Sequence, residues 1–211
     1  MHGIALDTKN QLLYVINQGA TTQSKGNMYW SHDIKPGAKE VEWTESGEQW
    51  RGTIPGSGKF SLPSISVYPL KAKGDTSPLR VIQGFLTRLD WPTHISLDVE
   101  HGDLFVINSV TDEVAVFHTT DNGNIAPYRT IKGPHTGLKT PHGVFADVKN
   151  NELVVANFGN HSATTYRLNA SGDATPVRTI RAAFPNTPAP MFGNIAALAY
   201  DTKRDQIMVP N

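Results

Sequence analysis

The chain has 211 residues with 19 basic and 19 acidic side chains, so it carries no net charge to draw it to nucleic acid or to an anionic membrane. No apolar run approaches the length of a membrane span. There is no cysteine, which removes disulfides, thiolate metal sites and cysteine nucleophiles together.

The first predicted elements are two short strands, 1–7 and 12–17, ending on Asp7 and Asn17. The next pair is 92–98 with 103–108, ending on Asp98 and Asn108. It recurs as 141–147 with 152–157, ending on Asp147 and Asn157. A last pair, 195–201 and 206–211, ends on Asp201 and Asn211.

After the first three pairs comes a third strand closing on Tyr68, Phe117 and Tyr166, residues 49 apart. The turn pairs Gly74-Asp75, Gly123-Asn124 and Gly172-Asp173 keep the same spacing. So do the fourth strands Pro78–Ile82, Pro127–Ile131 and Pro176–Ile180, each carrying an arginine: Arg80, Arg129 and Arg178. Three independent features on one period predict an all-β chain of four-stranded antiparallel blades, the unit of a β-propeller. About three and a half blades are read: blade one 1–91, blade two 92–140, blade three 141–194 and a half blade 195–211.

Between its second and third strands blade one is longer than its neighbours by 42 residues, an insertion at 18–60. This holds Trp30, Trp43 and Trp50, and the stretch 41–53 reads as a hairpin. Long excursions from compact repeats are where function tends to sit, and Trp is a typical contact anchor. An equally plain reading is that these aromatics form the hairpin's own small core.

At Pro141-His142-Gly143-Val144, and at Leu153–Asn160 beyond it, the sequence resembles the NHL-repeat family of six-bladed propellers. The Gly-Asx-x-x-Pro-x-Arg-Thr-Ile strand endings are similar to its bacterial, often exported members. That resemblance, with the missing cysteines, implies a periplasmic or extracellular protein. The chain opens directly on a strand pattern, with no leader read in it. Three and a half blades do not close a ring. The remaining blades of one propeller, or another protein chain, are therefore the expected partners. Six blades of this period with the insertion would take roughly 340 residues.

The strand alternation places His2, Thr93 and His142 around one mouth of the channel, with Asn17, Asn108 and Asn157 on the same face. His94, shifted by one, is expected on the opposite face of its strand. His2 and His142 are weak metal candidates, and no bound metal or other cofactor is expected, because zinc needs at least three ligands and blade two offers Thr93 there. Residues present in every blade read as structural, since a catalytic group is needed once. The ligand- or partner-binding candidates are Trp30, Trp43, Trp50, His2, His142 and Asn157. The functional expectation is a binding or scaffold module acting through its channel face and insertion. The alternative is a metal-dependent lyase or lactonase-type hydrolase centred on the channel.

Overall fold

A computed structural model describes residues 3–19, 22–24, 27–29, 62–181, 187, 197, 199–201, 203, 204 and 206–208. Blade one comprises β1 (Ile4–Asp7), β2 (Leu12–Asn17), β5 (Ser64–Pro69) and β6 (Arg80–Gln83). Inside its insertion lies a small hairpin of β3 (Thr22–Ser24) and β4 (Asn27–Tyr29). The hairpin expected at 41–53, with Trp30, Trp43 and Trp50, lies outside the described residues, as does His2.

Blade two is β7 (Pro92–Asp98), β8 (Asp103–Asn108), β9 (Glu113–His118) and β10 (Arg129–Ile131). Blade three is β11 (Pro141–Asp147), β12 (Glu152–Asn157), β13 (Ser162–Arg167) and β14 (Arg178–Ile180). The hairpin of β15 (Ala199–Asp201) and β16 (Gln206–Met208) follows. Each complete blade is one antiparallel sheet with sequential strands neighbouring, as the repeat predicts. Two short 3-10 turns, Phe85–Thr87 and Phe158–Asn160, are the helical elements among the described residues.

The recurrent aspartates explain the first hairpin of each blade. Asp7 accepts the amide of Asn10 at 2.8 Å, Asp147 that of Asn150 at 3.2 Å, and Asp98 those of Glu100 and His101. Each is an Asx turn that presets the reversal. The residues closing these turns, Gln11, Gly102 and Asn151, have positive φ.

The alternating strands are apolar on both faces where a blade has two neighbours, so the core lies between blades rather than within one. Tyr14, Ile16, Ile65 and Val67 of blade one pack against Ile95, Leu104, Val106 and Phe117 of blade two. Phe105, Ile107, Val116 and Ile131 pack against Val144, Leu153, Val155 and Tyr166 of blade three.

A polar staple reinforces each interface. The turn at Gly123 climbs the outer edge of blade one, where the Gly123 amide donates to Val81 O at 2.7 Å and its carbonyl accepts from Gln83 N at 3.1 Å. Gly172 repeats this on blade two, with Thr130 O at 2.7 Å and Lys132 N at 2.9 Å. The adjacent Asn124 accepts the Leu86 amide at 2.8 Å, and Asp173 accepts the His135 amide at the same distance. Arg80 reaches Thr119 O of blade two, and Arg129 reaches Leu168 O and Ala170 O of blade three. Gly123-Asn124 and Gly172-Asp173, with Arg80 and Arg129, thus join consecutive blades.

Tyr166 shows how tightly the second interface is sealed. Its hydroxyl donates to Thr136 O at 2.6 Å, and burial pushes its pKa up from 10.0 to about 12. Between those values the unfolded chain has lost the phenolic proton while the folded chain keeps it, so stability falls as pH rises through that window. In thermal melts, Tyr166→Phe should cost about 1–2 kcal/mol at neutral pH. Its stability should also decline less from pH 10 to pH 12 than that of the parent chain.

Candidate functional site

The starts of β7 and β11, the ends of β2, β8 and β12, and the loops joining them share one face. The loops that lead into β7 and β11 repeat a pattern absent from the sequence-based expectations. Gly84-x-x-Thr87-x-Leu89-x-x-Pro92 and Gly133-x-x-Thr136-x-Leu138-x-x-Pro141 superpose residue by residue. Thr87 and Thr136 are buried, and their hydroxyls donate back to Gly84 O at 2.6 Å and Gly133 O at 2.8 Å. The 49-residue spacing of these motifs was the signal.

Both strand-ending asparagines anchor those loops. Asn108 accepts the Asp90 amide and donates to Arg88 O, each at 3.0 Å. Asn157 accepts the Lys139 amide at 3.2 Å and donates to Thr164 Oγ1 at 3.0 Å. Both are fully buried. Asn157 therefore acts on this face by holding a loop, its amide already committed. Asp112, in the loop after β8, adds a third tie by accepting the Thr140 amide at 2.5 Å.

His142 is half-buried beside Phe158, ring centroids 5.0 Å apart. Its Nδ1 lies 3.1 Å from Thr140 O. A carbonyl only accepts, so Nδ1 carries the proton in that bond. Ser109 Oγ is 3.4 Å from the same Nδ1, but its hydroxyl donates to Pro141 O, and Thr93 Oγ1 sits 3.0 Å away. With its proton committed to a backbone carbonyl, Ser109 is not activated by His142 as a nucleophile would be.

His94 lies on the side of its strand that faces blade three, as Ser96 does. The ladder between β7 and β8 is irregular between Pro92 and Ile95. Beside that bulge Thr93 reaches Ser109, and the His94 ring lies against the Val144 backbone of blade three. Burial holds the His94 pKa below 6.5, so the imidazole is neutral at pH 7. Among the described residues no three His, Asp or Glu side chains gather as metal ligands would.

The mouth differs between blades. Where blades one and three begin their third strand with Ser64 and Ser162, blade two has Glu113, a buried carboxylate that Lys132 Nζ approaches at 3.3 Å. Glu113 was not among the sequence candidates, although the exchange of Ser for Glu at one repeat position marked it.

Neither a protein-family profile nor a curated protein sequence matches the chain. Solved structures do. A chain of the nidogen/laminin complex aligns with a TM-score of 0.54 at 15% identity, covering 100% of this chain and 56% of that one. A 6-phosphogluconolactonase-like protein of Bacteroides fragilis aligns with a TM-score of 0.53 at 13% identity, covering 99% of this chain and 49% of its own. The chain thus spans about half the length of these neighbours. With the sheets described above, this likeness makes the chain a run of β-propeller blades.

Proposed function

We propose that the chain is part of an exported NHL-type propeller that binds a protein partner through its channel mouth and the insertion of blade one. The observation that carries this reading is the register of the insertion's base. Asn17 and Ser64 are direct cross-strand partners, as Asn108 and Glu113 are in blade two and Asn157 and Ser162 in blade three. The excursion therefore leaves and rejoins adjacent positions on the mouth face without disturbing the sheet. Its return limb is tied there by Gln83 Nε2, which donates to Leu62 O at 2.9 Å. Loop-closure entropy rises slowly with length, so blade one tolerates the insertion without drawing stability from it. A protein in the nidogen/laminin complex with the same fold supports the choice of a protein partner. The lack of cysteine supports export.

Replacing residues 20–60 with a short glycine-containing turn should leave the chain folded and abolish partner capture from a periplasmic or extracellular extract. Undiminished capture by the folded deletion would remove the insertion from the interface. Hydrolysis of a lactone by the purified chain, lost on His142→Ala, would overturn the binding reading in favour of catalysis.

A further inference from the structure

The binding reading leaves open what chemistry the mouth recognises, and Glu113 bears on it. The same position is Ser64 in blade one and Ser162 in blade three, where the hydroxyl lies 3.3 Å from the Asn157 amide nitrogen. A serine therefore meets the needs of the fold, and a carboxylate in its place serves something else. The Glu113 side chain is only 5% exposed. Its Oε2 faces the ammonium of Lys132 at 3.3 Å, while its Oε1 is buried with no hydrogen-bond partner. A buried carboxylate oxygen left unpaired is costly.

The hydroxyl of Thr111, two residues earlier, is likewise buried without a partner. Asn108 is the cross-strand partner of Glu113 and accepts the backbone amide of Asp90. At the equivalent mouth of blade three those positions are Lys139 and Ser162. This wedge thus carries two acidic residues where blade three has a lysine and a serine, next to the loop whose Gln83 holds the insertion's return limb.

Resting on the binding-module reading above, we propose that this wedge is a recess for an arginine side chain of the protein partner, with Glu113 as its floor and Lys132 as its internal placeholder. Lys132 is half exposed and reaches the carboxylate from the surface, so a partner's arginine would compete with it there. An ammonium is a single point charge and serves one carboxylate oxygen here. A guanidinium presents a planar fork that serves both oxygens at once, and so satisfies the atom that Lys132 leaves unpaired. The lysine beside the same carboxylate argues against a divalent cation, which it would repel.

The test is nuclear magnetic resonance of the full chain titrated with N-acetyl-arginine methylamide. Amide shifts are expected at Asn108, Glu113 and Lys132, with none from the neutral isostere N-acetyl-citrulline methylamide. Glu113→Ser, which installs the residue of blades one and three, should stay folded and lose the response. Lys132→Met, which removes the competing ion pair, should tighten it about tenfold. The proposal is overturned if Glu113→Ser leaves the arginine titration unchanged, or if citrulline binds equally. Calcium chloride reproducing the shifts where arginine gives none would overturn it too, and so would silence toward arginine in both the parent and Lys132→Met. None of these outcomes touches the deletion test of the insertion, so the two readings fail separately.

Discussion

Arg129→Ala is expected to lower stability by about 3–5 kcal/mol, whereas Arg178→Ala, at the same repeat position, should cost about 1 kcal/mol or less. Both arginines were read as parts of the repeat, yet their surroundings differ. Arg129 is 12% exposed and bonds Asp103 at 2.7 Å, Ala170 O at 2.7 Å and Leu168 O at 3.1 Å. Its guanidinium also lies 5.6 Å from the Phe105 ring centroid. Removing it strands a buried carboxylate with only the Tyr128 hydroxyl at 2.6 Å, and orphans two carbonyls of the next blade. Arg178 grips Glu152 through two nitrogens but is half exposed, where solvent screens the pair. Urea unfolding of the two variants measures the difference. Equal losses would mean that the arginine acts within its own blade rather than between blades.

Gly84→Ala is expected to cost about 3 kcal/mol, and Gly123→Ala about 1–2 kcal/mol. Gly84 sits at φ 131° and ψ 173°, a region open essentially to glycine alone. A Cβ there would also fall 2.4 Å from the Asn124 carboxamide, dislodging the side chain that holds the Leu86 amide. Gly123 has φ 81° and nothing within 4 Å of an added Cβ, so only the left-handed backbone opposes substitution. Calorimetric melts of the two variants should rank them in that order, and the reverse order would contradict the staple.

The strands were legible because blade residues alternate and the period is constant. Asp98, Asn108, Asp147 and Asn157 end their strands where the spacing put them. The staples were not legible, because they join turns to strands some 40 residues apart through backbone groups that leave no mark on composition. The Gly-Asx pairs showed up only as turns. The register break between Pro92 and Ile95 was not legible, because a bulge is a one-residue event that breaks a period of two. At the mouth, the position of His142 was readable, but the commitment of Ser109 to Pro141 O depends on a neighbouring blade. Glu113 was visible only as an exception to a serine repeat, and its burial is a tertiary property that the repeat does not carry.

On the proposed binding role, blade one is complete without its insertion. Amide hydrogen exchange on the chain with residues 20–60 replaced by a short turn tests this most directly. The register of β2 on β5 is held by pairs from Leu12–Pro69 to Asn17–Ser64, and Tyr14, Ile16, Ile65 and Val67 are buried against blade two. The account predicts that the amides of Leu13–Ile16 and Ile65–Val67 keep the protection they have in the parent chain. Loss of protection across both strands on deletion would show that the insertion is part of the core of blade one, and would contradict the account.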